Sequence, residues 1–236
     1  TLGTKRGAEG RINSLPQMDG IQHTQHRRAI QAWFSPKCVR SLEARTKEVA
    51  KELVDNLAKK DTADIATELA SEHSLWLICE ILGIPHEEHD QLHRMAKALF
   101  APGDPDLARQ EQEMSLDDVV DYCKIVVDRR RKNPGDDLVS AVLAMQPGDR
   151  PISEHEILSH LLVLVSAGHD TTASAVAGGA LAFIQNPREL HKVQEHPQNI
   201  GKAVEEIIRY VSPTTSFMRT AVDDVDGDIT DRITIV

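Results

Sequence analysis

The sequence predicts a mainly α-helical protein with a small β element near the end of the chain. Apolar residues recur every three or four positions over most of its length, which is the period of an amphipathic helix. Aromatic residues make up only 3% of the 236 residues, so the core must consist mainly of Leu, Ile, Val and Ala, which suits packed helices. After Thr215 the pattern changes to short strand-like segments at residues 217–222 and 229–236.

The first part of the chain predicts a loop followed by five helices. Residues 1–20 are rich in Gly and polar groups and show no period, which indicates a loop. Ser35-Pro36 ends the first helix, Gly83 ends the third, and the turn at residues 102–105 follows the fourth. These helices are expected at residues 22–32, 39–59, 65–82, 86–100 and 107–132.

The second part predicts four more helices, one of which is by far the longest. A capping box opens that helix: the Ser153 hydroxyl can bond the amide of Glu156, whose carboxylate can reach back. Asn186-Pro187 ends it, and Pro213 ends the last helix. These helices are expected at residues 136–145, 153–185, 189–195 and 199–211.

Net charge and cysteine content exclude several classes of protein. The formal net charge is −10, which argues against a nucleic-acid partner because phosphate contacts require clustered Lys and Arg. Three cysteines lie far apart without a C-x-x-C pair, which predicts no zinc site and no disulfide framework and fits a reducing, cytoplasmic compartment. Residues 161–184 are long enough to cross a membrane, but polar residues at their middle favour a core helix and no membrane partner.

Two histidine patterns have spacings close to those of metal sites, but neither predicts one. His155 and His160 are five residues apart, which leaves their rings about 140° apart around a helix, so they cannot share a metal. His86, His89 and His93 share a helix face, but the acidic residues around them favour an exposed, charged helix start.

The long helix contains one polar interruption, residues 167–172, with the sequence A-G-H-D-T-T. An acid beside two hydroxyls in a buried helix is costly unless each group has a partner or a task. Gly168 costs about 1 kcal/mol relative to Ala in a helix interior and allows a flat group to lie against the backbone. We therefore expect Asp170 and Thr171 to be buried in an active site. The structural alternative is that the hydroxyls bond carbonyls one turn earlier and Asp170 meets an arginine.

Three further groups of polar residues are candidates for a functional role. Glu206 and Arg209 share a helix face, where the simpler explanation is a surface ion pair worth less than about 1 kcal/mol. His23 and Arg27 are four residues apart and form a short cationic clamp for a carboxylate, or else part of a solvated basic helix. Arg219 is a lone cation in a predicted strand.

The order of these four motifs resembles the cytochrome P-450 superfamily of haem-thiolate monooxygenases, in particular its soluble bacterial members. The motifs are a basic H-T-x-x-R helix, A-G-H-D-T-T in a long helix, E-x-x-R, and R-T-A in a strand. The resemblance runs from Leu15 to the last residue. It implies the P-450 fold from its C helix through its K helix, followed by the beginning of a small β element.

The resemblance also implies roles for individual residues around a haem b (iron protoporphyrin IX). Ala167 and Gly168 would line the oxygen pocket, and Asp170 and Thr171 would be the acid–alcohol pair that delivers protons there. The haem propionates would be bound by His23, Arg27 and Arg219. The ion pair of Glu206 and Arg209 would have a structural role.

The implied reaction inserts one atom of O2 into a small organic substrate, typically as a hydroxylation, with electrons from NAD(P)H through a ferredoxin-type donor. Two features depart from the family: Gly20-Ile21-Gln22 replaces Pro-Pro-Glu, and the F-x-x-G-x-H-x-C-x-G loop that carries the axial cysteine is absent. We therefore expect residues 1–236 to be one partial domain, an internal fragment that holds no metal ligand. The alternatives are an inactive haem-binding remnant and a cofactor-free helical interaction module.

Overall fold

The computed structural model describes residues 13–100, 116–219 and 233–235. Within these residues the chain is mainly helical, as the sequence predicts. The α-helices are, in chain order, α1 (Gly20–Ile30), α2 (Pro36–Leu57), α3 (Glu72–Leu82), α4 (His89–Phe100), α5 (Leu116–Lys132), α6 (Leu138–Leu143), α7 (Glu154–Gln185), α8 (Pro187–Glu195) and α9 (Ile200–Val211).

The helix order is confirmed, and the differences at the helix ends have local causes. A π-helical segment, Ala66–Ser71, leads directly into α3, so the third predicted helix is real but not α-helical throughout. Asp137 caps α6, its side chain accepting the Ser140 amide at 2.8 Å, so α6 begins at Leu138 and is shorter than predicted. The expected helical residues 107–115 lie outside the described part of the chain.

The longest helix, α7, forms as the capping box predicts. The Ser153 hydroxyl accepts the Glu156 amide at 3.3 Å, and the Glu156 carboxylate accepts the Ser153 amide at 2.9 Å. The helix has 32 residues, which corresponds to about 48 Å at the usual rise per residue. Its length allows it to contact α3, α5 and α9 as well as the π-helical segment.

The β element is a single antiparallel pair. Strand β1 (Phe217–Arg219) pairs with β2 (Ile233–Ile235), with Phe217 opposite Ile235 and Arg219 opposite Ile233. The remaining residues of the two predicted strand segments, 220–222, 229–232 and 236, lie outside the described residues.

The core is aliphatic, as the low aromatic content requires. Its side chains come mainly from α3, α5, α6 and the first half of α7. The fully buried aliphatic residues include Leu82, Leu92, Val119, Val127, Leu138, Val139 and Val142.

Two glycines allow the last helix to approach the long one closely. A Cβ at Gly178 would lie 2.6 Å from Cγ1 of Val211, and a Cβ at Gly179 would lie 2.9 Å from Cγ2 of Ile207. Both distances are shorter than carbon atoms tolerate, so α9 packs on α7 at a separation that only glycine permits. None of the helices in the described part of the chain combines the length and the apolar character that crossing a membrane requires.

Candidate active site on the long helix

The polar segment of α7 divides its side chains between two faces of the helix. Successive residues are turned by about 100°, so neighbours in sequence point in different directions. His169 follows Leu162 and Val165 on the buried face and is only 2% exposed. Ala167 is exposed, Thr171 is half-buried, and the Asp170 side chain is 47% exposed. The expectation that Asp170 and Thr171 are buried is therefore wrong; the buried member of the segment is His169.

Thr171 and Ala167 form a local pair on the outer face of α7. The Thr171 hydroxyl donates to the Ala167 carbonyl oxygen at 2.8 Å, one turn earlier in the helix. This is the back-bonding arrangement that a threonine adopts within a helix. Because Ala167 has only a methyl group, the hydroxyl of Thr171 lies beside a shallow, accessible stretch of the helix.

Gly168 is explained by packing against the neighbouring helix. A Cβ at this position would lie 2.6 Å from Cδ1 of Ile78 in α3, so the Ile78 side chain would have to shift for any larger residue. The glycine thus allows close packing on the side of α7 that faces α3. Its predicted role in an oxygen pocket stays a prediction.

His169 connects α7 to two other helices through its ring. Its Nδ1 lies 2.9 Å from the Ser74 hydroxyl oxygen of α3, and its Nε2 lies 3.8 Å from Oδ1 of Asp170. The ring also makes an edge contact with that of His93 in α4, with centroids 5.1 Å apart. Our interpretation of the sequence missed His169 and Ser74. The signal for His169 was a lone polar residue at helical spacing from Leu162 and Val165.

A second buried polar cluster joins α1 to the start of α7. His26 Nδ1 lies 2.9 Å from His160 Nε2, and His26 Nε2 lies 3.1 Å from Oε1 of Glu156. The Glu156 carboxylate also binds the guanidinium of Arg150, with one contact at 2.9 Å. Both histidines are at most 2% exposed. No local pattern in the sequence indicates this cluster, because His26 and His160 are 134 positions apart.

Burial and charge determine the protonation of this cluster. Burial lowers the pKa of His26, and it lowers the pKa of His160 to about 4. The hydrogen bonds from Arg150 hold the pKa of Glu156 well below its usual range. Both rings are therefore neutral beside an ionised carboxylate. Glu156 accepts from Nε2–H of His26, which leaves Nδ1 of His26 to accept from Nε2–H of His160.

The predicted cationic pair lies on a more exposed part of α1 than His26 does. His26 and Ile30 are buried, whereas His23 is half-buried and Arg27 is exposed. Neither His23 nor Arg27 makes a side-chain hydrogen bond or ion pair with another described residue. The two are one helical turn apart and available to a carboxylate ligand. Arg219 is the last residue of β1.

The second predicted pair forms a regular two-point contact. Arg209 Nε and Nη2 lie 2.7 and 2.6 Å from the two carboxylate oxygens of Glu206. Those hydrogen bonds lower the pKa of Glu206. Both side chains are exposed, although their helix packs on α7 through Gly178 and Gly179.

Two of the cysteines do not suit a haem iron. Burial raises the pKa of Cys79 to about 12 and that of Cys123 to about 12, so both thiols stay protonated, whereas a haem ligand must be a thiolate. Cys38 is half-buried in the first turn of α2. Among the described residues no group of three or more His, Cys, Asp or Glu is arranged to hold a metal ion. The cationic pair has the chemistry to bind the carboxylates of a porphyrin, but these buried thiols do not suit its iron.

Comparison with known proteins finds a family model and relatives that match most of the chain. A family model described as Cytochrome P450 matches residues 9–226. The steroid C26-monooxygenase of Mycolicibacterium smegmatis is 31% identical over 214 residues, which is 90% of this chain and 49% of that protein. The methyl-branched lipid omega-hydroxylase of Mycobacterium tuberculosis is 31% identical over 221 residues, covering 91% of this chain and 52% of that protein.

The fold is similar to that of a solved bacterial cytochrome P450 structure. The polyketide synthase cytochrome P450 PksS of Bacillus subtilis superposes with a TM-score of 0.84 at 29% identity. The match covers 94% of this chain and 58% of that structure. The chain therefore spans about half the length of the curated relatives that it matches.

Proposed function

Because the chain belongs to the cytochrome P450 family, we propose that it is part of a haem-dependent monooxygenase. In the whole protein the reaction would insert one atom of O2 into a small organic substrate, as a hydroxylation. The observation that carries this proposal is the outer face of α7, where the Thr171 hydroxyl bonds the Ala167 carbonyl next to a half-exposed Asp170.

Haem b is the cofactor that this proposal requires, and it supplies dioxygen binding and activation when bound. His23 and Arg27 would bind its propionates from α1, together with Arg219 from β1, because guanidinium and imidazolium groups form strong charge-assisted bonds with carboxylates. The small side chain of Ala167 would leave room for the cofactor against α7. We place the axial thiolate outside this sequence, since none of the three cysteines lies in an F-x-x-G-x-H-x-C-x-G loop and burial keeps Cys79 and Cys123 protonated.

Asp170 and Thr171 would move protons into the pocket. The Thr171 hydroxyl donates a hydrogen bond to the Ala167 carbonyl oxygen. It can rotate to donate to a new acceptor without breaking the helix. Asp170 reaches solvent with nearly half of its side chain, so it can take up a proton from water and pass it inward. The neighbouring aliphatic core excludes bulk water from the rest of the site.

Glu206 and Arg209 would have a structural role. Their two-point contact stiffens α9. Gly178 and Gly179 allow α9 to pack closely on α7, the helix proposed to border the haem. Neither side chain is proposed to touch the substrate.

Substrate and electron donor are proposed at the level of class. The names of two relatives refer to a steroid and to a methyl-branched lipid, so we propose an apolar organic substrate. Electrons would come from NAD(P)H through a ferredoxin-type protein, and the whole protein would act in the cytoplasm. We propose that residues 1–236 form one partial domain of that protein.

Isotope labelling tests the proposal. The full-length protein, supplied with NAD(P)H, a ferredoxin and its reductase, is incubated under 18O2 with a panel of steroids and branched fatty acids. We expect one labelled oxygen atom in a hydroxylated product, detected by mass spectrometry. Bound haem without labelled product across the panel would favour an inactive remnant. Absence of haem as well would favour an interaction module.

A further inference from the structure

Helix α1 carries two of the residues proposed to bind the haem propionates, yet few of its own residues are buried. It is 11 residues long, and its buried residues are His26 and Ile30. Helices shorter than about 12–15 residues are marginal in water, so contacts with the rest of the protein must hold such a helix in place. Ile30 contributes apolar packing against the core, whereas His26 contributes directional hydrogen bonds.

His26 binds α7 at two points. Its Nδ1 lies 2.9 Å from Nε2 of His160, and its Nε2 lies 3.1 Å from Oε1 of Glu156. Glu156 and His160 are four residues apart and therefore lie on one face of α7. A ring bound through both nitrogens cannot slide along α7 or turn away from it without losing a buried hydrogen bond, which is costly. The two contacts therefore fix the position of α1 along α7 and its rotation.

The carboxylate that accepts from His26 is itself held in place by other groups. Arg150 Nη1 donates to Glu156 at 2.9 Å, and the backbone amide of Ser153 donates to the same carboxylate at 2.9 Å. Arg150 follows the short helical turn Pro147–Asp149, which also packs on α1. The acceptor for His26 is thus fixed by residues that precede and begin α7.

The rotation of α1 determines where its cationic side chains point. Successive residues of a helix are turned by about 100°, so Arg27 is turned by about 100° from His26, and His23 by about 60° to the same side. Because the ring of His26 is bound to α7, it sets the direction of both cationic side chains. A change in its hydrogen bonds would turn them together.

We propose that His26 and Glu156 are positioning residues for the haem propionates, because they hold α1 in the rotation that presents His23 and Arg27 to the cofactor. The inference rests on the proposed function, in which that cationic pair binds propionates. His26 and Glu156 act through α1 rather than on the haem itself. Loss of their contact should therefore affect haem retention only through the cationic pair.

A double-mutant cycle in the full-length protein tests this dependence. Transfer of haem to apomyoglobin is measured for His26→Leu, for Arg27→Gln and for both together. We expect each single variant to lose haem at least about tenfold faster, the effect of one charge-assisted contact. Because His26 acts through Arg27, the double variant should lie within about twofold of the faster single variant. Independent effects would multiply to about a hundredfold, which would overturn the inference.

Ile30→Ala is the matched control, because Ile30 is the other buried residue of α1. This variant removes apolar packing but leaves the hydrogen bonds of His26 intact, so the rate of haem transfer should stay close to that of the wild type. A rate equal to that of His26→Leu would show that any loosening of α1 releases the cofactor. That result would overturn the specific role of His26.

Two further variants decide the question if His26→Leu does not fold. His26→Gln has an amide N–H group that can donate to Glu156, and its haem transfer should stay close to the wild-type rate. Glu156→Gln keeps every side chain of α1 but removes the charge to which His26 donates. Its effect should not multiply with that of Arg27→Gln. Fast haem loss from His26→Gln, or multiplied effects of Glu156→Gln and Arg27→Gln, would each contradict the inference.

Hydrogen exchange in the full-length apoprotein tests the same contacts without haem. The bonds of His26 join groups of the protein alone, so the amides of α1 should be protected in the wild type. In His26→Leu they should exchange at least about tenfold faster, because a hydrogen bond to a charged group contributes that factor. In Arg27→Gln they should exchange at the wild-type rate. Equal rates in wild type and His26→Leu would overturn the inference.

The two proposals fail in different ways. If the full-length protein binds no haem, the proposed function fails, and the positioning role falls with it even where α1 is protected in the apoprotein. If haem is bound but Arg27→Gln alone does not speed its loss, or the effects of the cycle multiply, the positioning role is wrong and the monooxygenase assignment stands.

Discussion

His26 of α1 and His160 of α7 share a hydrogen bond between ring nitrogens, 2.9 Å apart, with almost no exposure to solvent. Their rings also stack, with centroids 5.2 Å apart. The ionised Glu156 accepts from His26, and His26 in turn accepts from His160. Each hydrogen bond in the cluster is therefore donated towards Glu156. A proton added to His160 has no acceptor within this chain of bonds, since His26 Nδ1 already accepts from it.

The stability of the full-length protein should therefore fall in mild acid. The pKa of His160 is lowered from 6.5 to about 4 by burial, so the unfolded chain binds the proton first as the pH falls. The free energy of unfolding should decrease below about pH 6.5, with a slope of up to about 1.4 kcal/mol per pH unit from this group, and level off near pH 4. Urea unfolding at several pH values measures this slope.

His160→Gln should flatten that dependence. Its amide keeps a donor for His26 but does not titrate, so the contribution of His160 to the slope disappears. His155→Gln, at an exposed position on the same helix, should leave the slope unchanged. An equal effect of both substitutions would contradict the assignment to the buried ring.

Glu156→Gln should destabilise the protein by about 2–3 kcal/mol, measured by urea unfolding at neutral pH. The carboxylate accepts from His26, Arg150 and the Ser153 amide, and hydrogen bonds to a charged group are the strong ones. Glu154→Gln is the control, because Glu154 is exposed and pairs with the surface residue Arg131. It should cost less than about 1 kcal/mol. Equal losses in the two variants would refute the importance of the buried cluster.

Gly178→Ala should weaken the packing of α9 on α7. The added methyl group would lie 2.6 Å from Cγ1 of Val211, and a β-branched side chain has little freedom to move away. We expect a loss of about 1–3 kcal/mol in the free energy of unfolding. Gly201→Ala meets no atom within 4 Å and should instead stabilise α9 slightly, by up to about 1 kcal/mol. Effects of the same sign would count against this close approach.

Thr171→Ala should separate electron consumption from product formation in the full-length protein. Without the hydroxyl, proton delivery is impaired, and reduced oxygen should leave as hydrogen peroxide. Product formed per NAD(P)H should fall by at least about tenfold, the lower end of what a positioned proton donor contributes. Thr171→Ser should restore most of the coupling, and Thr172→Ala should have little effect. Unchanged coupling in Thr171→Ala would rule out the proposed role of this hydroxyl.

Arg27→Gln should weaken haem retention if the α1 pair binds propionates. The guanidinium is exposed and makes no ion pair with another described residue, so its removal should cost little stability in the apoprotein. Transfer of haem to apomyoglobin should be faster by about tenfold, the effect of losing one charge-assisted contact. Arg28→Gln is the control, one position further around the same helix. Equal rates for wild type and Arg27→Gln would remove Arg27 from the proposed site.

Features determined by neighbouring residues could be predicted from the sequence. The capping box of Ser153 and Glu156, the end of α3 at Gly83 and the pair of Glu206 and Arg209 each depend on residues at most four positions apart, and all are present. The mainly helical architecture and the small β element follow in the same way from periodicity.

Contacts between distant parts of the chain could not be predicted. Ser74 and His169 are 95 positions apart, and His26 and His160 are 134 apart, so no local pattern relates them. For the same reason the sequence wrongly predicted that Asp170 is buried, whereas nearly half of its side chain is exposed. An apolar run indicates that a helix is largely buried, but the rotation of each residue about its axis depends on what packs against it.

The most direct test of the central claim is the absorption spectrum of the full-length protein after reduction and exposure to carbon monoxide. We expect the red-shifted Soret band of a thiolate-ligated haem, with a weaker band in Arg27→Gln because haem is lost. A protein that binds no haem, or that binds it without thiolate ligation, would contradict the proposal that the outer face of α7 borders a monooxygenase site.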